Sequence, residues 1–418
     1  MRGAGADSAR GALAGLRVLD LTRLLPGGFC SLLMADAGAD VIKVEDTGAG
    51  DYIRYSPPYY GADEHNELGT RSALYLALNR GKRSIRLDLK SEAGREAFLR
   101  LAEGADVVLD GFRPGVLDRL GCGWEALRAR NPRLVMCAIT GYGQSGPNRD
   151  RAGHDANYLA LAGVLGLTGA ADGPPVQAGV QIADLGGGAL MAAFGVMAAL
   201  WHRERTGEGQ YVDVSMTDGA LSWLVLNAAQ YLCDGRVPRR GREMLNGGIA
   251  CYLTYEAADG WVVCGALEPK FWQRFCEGVG RPDLLEHQFA PPGSEGHAAV
   301  AEVFRGRTRA EWKAFNDEHD CCIEPVLELD EALAAGWVRE REMLIEFEQP
   351  GLGSVRVLGN PLKLSATPGD PRRPAPALGE HTREVLAEAG YTEEEIEALL
   401  AAGAAAEGAS GEQPTFMG

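Results

Sequence analysis

The sequence of 418 residues contains no Cys-x-x-Cys pair, no apolar run long enough to span a bilayer, and no basic excess. Its nine cysteines are odd in number, and most lie in apolar stretches such as Leu134-Val135-Met136-Cys137. That pattern reads as reduced, buried thiols in a cytoplasmic protein and argues against a zinc cluster or other metal site. The longest apolar run, Ala189 to Trp201, reads as a buried helix. Met1 to Leu16 is Gly/Ala-rich and lacks the apolar core of a signal peptide. Lys and Arg number 41 against 58 Asp and Glu, a formal charge of −17, so nucleic acid and anionic membranes are poor partners. An anionic ligand would need a local basic patch.

What the sequence does contain is an alternation of strand-like and helix-like segments. Arg17 to Leu21, Asp40 to Glu45, Ser84 to Leu89, Asp106 to Leu109 and Leu134 to Thr140 read as strands. Between them, Phe29 to Ala37 and Ser91 to Glu103 have helical spacing, with Pro26-Gly27-Gly28 as a turn and Ser91 as an N-cap. Strands separated by helices predict an α/β fold with a parallel sheet. Residues 50–72 form a long Tyr/Pro/Gly loop. We place a large domain at 1–225, a linker at 226–248, a small α+β domain at 249–330, a return to the large domain at 331–401 and a disordered tail at 402–418.

Several residues are candidates for chemistry, each with a plain structural reading beside it. Gly141 to Gly146 matches GxGxxG after a strand, but Pro147-Asn148 follows where a dinucleotide site needs a helix, so it is a Gly-rich active-site loop or a simple turn. Arg80, Lys82, Arg83 and Arg86 form a basic cluster, either a phosphate site or a solvated strand edge. Lys43, Arg113 and Arg119 add cations at strand ends, which favours a bound polyanion. His154, flanked by Asp155, is a candidate acid/base or a structural histidine. Asp184, before Gly186-Gly187-Gly188, is either an N-cap or a reactive carboxylate. Glu268 before Pro269 fits a helix boundary.

Taken in order, LRVLDLTRLLPGG, ADVIKVE, LNRGKRSIRLDLK, FRPGVLDRLG and GYGQSGP resemble the family III CoA-transferases, the CaiB/BaiF type, from about Leu13 to Leu400. AGHDANYLALAGVLG, IADLGGG, RGREMLNGG and GALEPKFW resemble its α-methylacyl-CoA racemase branch. The resemblance implies a large Rossmann-like CoA-binding domain, a smaller α+β domain and an interlocked homodimer. It implies acid/base roles for His154 and Asp184, with Glu268 orienting His154 and Asp155 beside them. It implies that CoA is held by Lys43, Leu78, Arg80, Lys82, Arg83, Phe112, Arg113 and Arg119. Acyl-CoA is then substrate, with no cofactor and no metal.

The expected reaction is racemisation of 2-methylacyl-CoA thioesters through an enolate. The alternative is CoA transfer through an Asp184 thioester, with a silent CoA-binding subunit and a nicotinamide enzyme behind it. N–H groups near Gly186 to Gly188, or beside Asp155, would stabilise the enolate, so Gly187→Val should harm turnover more than folding. Leu159 to Leu167, Met191 and Met197 would line the acyl pocket.

Overall fold

The computed structural model describes residues 11–61 and 69–408. The expected N-terminal features before residue 11, the centre of the 50–72 loop and the end of the tail lie outside the described residues.

The chain divides into two compact units. The first, Met1–Tyr158, Gln181–Ala220 and Gly336–Gly418, is built on six parallel strands. These are β1 (Arg17–Asp20), β2 (Asp40–Glu45), β3 (Arg83–Leu87), β4 (Val107–Asp110), β5 (Val135–Thr140) and β6 (Tyr211–Ser215). Their order in the sheet is β3-β2-β1-β4-β5-β6. The register sets Leu19 of β1 opposite Ile42 of β2 on one side and Val108 of β4 on the other. Val, Leu, Ile and Met dominate β1, β4 and β5, whose residues are nearly all buried, as suits strands covered on both faces. Two layers of core result. One joins the sheet to helix Glu92–Glu103 through Phe98 and Leu101, and to the returning helices Thr382–Glu388 and Glu393–Ala401 through Leu386 and Ile396. Another joins Tyr75 and Leu76 to the hairpin Leu344–Gln349 and Gly353–Leu358.

Three local features differ from the expected pattern. Helix Leu24–Asp36 starts early and absorbs Pro26-Gly27-Gly28, which reads as a turn in sequence. A proline is tolerated in a first turn, where its missing N–H has no helical partner to lose. Gly27 is needed there because a Cβ would fall 2.1 Å from Thr22 Cβ. The expected disordered tail contains instead a two-residue strand, Ala405–Ala406, antiparallel to β3 with Ala405 opposite Leu87. Helical residues Ile182–Thr206 have the length and apolarity of a membrane span by composition, yet the run packs on the sheet. Near its end the buried Arg203 pairs with Asp106 at 2.9 Å.

The second unit, Leu159–Val180 and Leu221–Ala335, takes in residues beyond the expected small domain. Its antiparallel sheet runs Tyr252–Ala257, Gly260–Gly265, Ile323–Pro325. The core is aromatic: Phe304 stacks on Tyr255 at 4.3 Å and on Phe275 at 5.2 Å. The buried indole nitrogens are satisfied, Trp272 donating to Leu284 O (3.0 Å) and Trp312 to Phe304 O (2.9 Å).

Candidate active site

In an open parallel sheet, ligands bind at the carboxyl ends of the strands where the strand order reverses. Here that point lies between β1 and β4. The segments that follow them, Thr22–Gly27 and Gly111–Pro114, line one cavity of about 990 Å³ in the first unit. The segment after β5, beginning Gly141, lines it too. His154, Asp184, Leu78, Phe112 and Arg113 all reach this cavity, so the structure brings these five expected residues together.

Asp184 lies in a π-helical segment, Ile182–Leu190, that runs into helix Met191–Thr206. A π-turn widens the helix and commonly marks a functional position. Burial pushes the Asp184 carboxyl up to about 6, and the negative charge of Asp155 adds to it. Its side chain has no hydrogen-bond partner among the described residues. Asp155 explains the local fold: its Oδ1 accepts the N–H groups of Ala183 (2.7 Å) and Asp184 (3.0 Å). That carboxylate satisfies N–H groups at the start of the segment, much as an N-cap does.

His154 immediately precedes helix Asp155–Leu161. Its N–H donates to Asn157 Oδ1 (3.0 Å) and its carbonyl accepts from Asn157 N–H (2.8 Å). The imidazole is exposed and has no hydrogen-bond partner among the described residues. The His154-Asp155 pair is thus tied through Asp155 to the backbone of Asp184. Tyr158, one turn on, buttresses the glycine loop: its ring meets Tyr142 edge-on at 5.2 Å. A Cβ on Gly141 would lie 2.4 Å from that ring and one on Gly153 2.7 Å. Gly141 O accepts from Thr217 N–H (3.0 Å) and Oγ1 (2.7 Å). The GxGxxG stretch is therefore a packed loop that opens no helix.

Gly186 to Gly188 are buried and serve close backbone contact. A Cβ on Gly187 would lie 2.7 Å from Met216 O and 2.8 Å from Ala220 N. This corrects the expectation for Gly187→Val, which would strike backbone and disturb packing first. The N–H groups nearest Asp155 are already bonded to it. The apolar wall of the cavity comes from Leu24, Leu25, Ile53, Leu74 and Leu78, and not from Met191 or Met197.

The remaining expected CoA contacts lie elsewhere. Lys43 is fully buried, pairs with Asp51 at 2.8 Å and donates to Thr22 O (2.9 Å). Lys82 is buried against Asp20 (3.3 Å), Ser31 (2.7 Å) and Asn79 (2.8 Å). Burial pushes Lys82 down to about 8, with Asp20 opposing. Arg80 pairs with Asp36 at 2.7 Å, and Arg83 with Asp40 at 2.7 Å and Glu388 at 2.8 Å. These four cations pair with carboxylates of the fold and are absent from the cavity lining. Arg119 is exposed outside the lining. Glu268 sits in the second unit as the N-cap residue of helix Pro269–Gly278, exposed and without a capping bond.

Three further cations line the cavity, none of them marked out by the sequence pattern: Arg23, Arg149 and Arg151. With Arg113 they put four arginines in a cavity lining that contains one carboxylate, Asp184, in a chain of net charge −17. Arg23 pairs with Asp46 at 2.5 Å and lies 5.8 Å from the Phe112 ring centroid. Arg113 and Arg151 have no carboxylate partner among the described residues. Their signal was their position, directly after the glycine motif or after a strand. Guanidinium groups gathered in a cleft suit phosphate or carboxylate oxygens.

A family model described as CoA-transferase family III matches residues 13–382. The chain is 39% identical over 393 residues to a succinyl-CoA:mesaconate CoA-transferase of Haloarcula hispanica, covering 91% of this chain and 97% of that one. It is 38% identical over 390 residues to the α-methylacyl-CoA racemase of Homo sapiens, covering 92% and 95%. Among solved structures it resembles a CAIB/BAIF family protein from Brucella suis, with a TM-score of 0.78 and 31% identity, covering 91% of this chain and all of that one.

Proposed function

The chain belongs to CoA-transferase family III, and from that premise we propose that it racemises 2-methylacyl-CoA thioesters at Cα. The observation that carries this reading is the presence, in one cavity, of a carboxyl raised to about 6 and the His154 imidazole, whose neighbour Asp155 binds the backbone of Asp184. Racemisation needs a base on one face of Cα and an acid on the other. Asp184 takes the Cα proton, and the C–H electron pair moves into the thioester to leave an enolate. Protonated His154 returns a proton on the opposite face; the reverse reaction exchanges the roles. A carboxylate raised toward neutrality is a stronger base than an ordinary one, which lowers the mismatch with the weakly acidic Cα–H. Arg113, Arg149 and Arg151 would meet the phosphates of CoA, and no cofactor or metal enters the chemistry.

A second reading is CoA transfer, favoured by the same Asp184 carboxylate, which has no hydrogen-bond partner among the described residues, and by the mesaconate transferase among the relatives. Asp184 attacks the thioester carbonyl and expels CoA thiolate, leaving a mixed anhydride. The thiolate then attacks the aspartyl carbonyl, and the donor acid departs as carboxylate, leaving an aspartyl-CoA thioester. An acceptor carboxylate reverses both steps.

Incubation with one enantiomer of a 2-methylacyl-CoA in D₂O, followed by NMR of the Cα–H signal, separates the readings. Deuterium uptake with loss of optical purity, abolished in both Asp184→Asn and His154→Ala, supports racemisation. Absence of exchange, together with a hydroxylamine adduct on Asp184 formed from succinyl-CoA, overturns it in favour of transfer. Free thiols at all nine cysteines support a cytoplasmic setting. Exposed Phe194 and Trp201 on helix Met191–Thr206 support a homodimer.

A further inference from the structure

We infer that Asp110 is a positioning residue for the acyl-CoA cavity, holding the Gly111–Pro114 turn so that Phe112 and Arg113 face the ligand. This rests on the acyl-CoA reading above and adds to it a residue behind the cavity wall. Asp110 ends β4 at the point where the strand order reverses, and its side chain is 7% exposed. Its Oδ1 accepts the Phe112 N–H at 2.8 Å, closing the turn two residues ahead. An aspartate that binds the backbone two residues on is a local turn device. Here the turn it fixes carries Arg113, a cavity arginine with no carboxylate partner among the described residues. The turn has little room to move toward β1, since a Cβ on Gly111 would lie 3.2 Å from Thr22 Cα.

Behind the turn, Asp110 faces a separate chamber of about 150 Å³, lined also by Asp118, Gln144, Trp124 and Tyr211. Gln144 belongs to both sides. Its amide Nε2 is buried with no hydrogen-bond partner among the described residues, while its backbone O accepts Arg149 Nε at 3.0 Å and so steadies a second arginine of the cavity. The ionisable groups that face Asp110 are Asp118 from the helix after the turn, Tyr211 from β6 and Cys137 from β5. No cation stands among them. Burial, reinforced by the charge of Asp118 and opposed by the Phe112 N–H, pushes the Asp110 carboxyl up to about 7. Above that pH the acceptor is charged and the hydrogen bond is at its strongest; below it the carboxyl is neutral and the turn is held less firmly. Anion affinity at the cavity should therefore weaken as pH falls through about 7.

The test compares the wild-type chain with Asp110→Asn, which keeps an acceptor oxygen and a similar volume but removes the titration. Hydrogen exchange of the peptide over residues 111–116, at one pH above 8 and without ligand, reads the turn directly. It should be faster in Asp110→Asn, with the melting transition retained. Calorimetric titration with free CoA at pH 8.5 and pH 6 reads the consequence. Relative to Asp110→Asn, the wild type should bind about fivefold more tightly at pH 8.5, with the difference lost at pH 6. The phosphates of CoA titrate identically for both proteins and cancel. Equal exchange in the two proteins, or the same pH dependence of CoA affinity, overturns the inference. Failure of the wild type to bind CoA at both pH values overturns the acyl-CoA reading, whereas the exchange comparison, made without ligand, tests the hold of Asp110 on the turn separately.

Discussion

The contact between Gly187 and Gly219 gives the sharpest test of how the fold sets the position of Asp184. Gly219 lies on helix Met216–Ser222, and a Cβ added to it would lie 2.1 Å from Gly187 O and 2.5 Å from Gly187 Cα. Both are backbone atoms, so no side chain can swing aside. Real Cβ contacts essentially never fall below 3.0 Å, so the helix and the π-helical segment must part. Overpacking of this kind costs about 1–3 kcal/mol. Asp184 is three residues before Gly187 on the same segment, and a misplacement of about 1 Å at a reacting group can cost on the order of a hundredfold in rate. Gly219→Ala should therefore lower the urea midpoint and lower kcat/KM by more than the loss of folded protein explains. Gly166→Ala is the control, since nothing lies within 4 Å of its added Cβ. The assay is kcat/KM for whichever of exchange or transfer the chain catalyses, beside urea unfolding followed by circular dichroism. A Gly219→Ala protein with wild-type kcat/KM and midpoint would refute the steric argument.

Two further outcomes follow from the ionisable groups. Asp184, raised to about 6, must be ionised to act as base or nucleophile, so kcat/KM should climb as pH rises through about 6; a rate unchanged between pH 5 and 7 contradicts this. Lys82→Met removes one of the groups that hold the buried Asp20 charge, leaving the nearby Lys43 and the Thr22 and Ser31 hydrogen bonds, and should destabilise the first unit by about 1–3 kcal/mol; urea unfolding showing no loss would contradict it.

The parallel sheet was legible because strands buried on both faces carry short apolar runs, as in Val18-Leu19, Val41-Ile42, Val107-Val108-Leu109 and Val135 to Ile139, separated by segments of helical spacing. What was not legible has a common cause. The strand β6 alternates, with Asp213 between Val212 and Val214, and is held by pairing to β5, with Cys137 opposite Val212 and Ile139 opposite Val214. Ala405–Ala406 sits in an Ala/Gly-rich stretch whose composition points to disorder, and only the backbone of β3 makes it a strand. The early start of helix Leu24–Asp36 depends on a close approach of Gly27 to Thr22 that no local propensity encodes. At the site, His154 and Asp184 were visible as residue types in small-residue surroundings. The bond that relates them, from Asp155 to the Ala183 and Asp184 N–H groups, crosses 28 residues and was not.

The basic cluster shows why charge density alone misleads. Arg80, Lys82 and Arg83 stand together in sequence, and in an acidic chain they attract attention as a phosphate site. Each of them, however, meets a carboxylate that the sheet buries or half-buries: Asp36, Asp20 and Asp40. A carboxylate withdrawn from water needs a partner charge or its own protonation. These cations are therefore committed by the fold, and recruiting one to a ligand would expose an internal acid. The same reasoning identifies the cations that are not committed. Arg113 and Arg151 line the cavity without a carboxylate partner among the described residues, so a bound anion can engage them without breaking an internal pair. The number of acids around each cation, which only the structure supplies, separates the two classes.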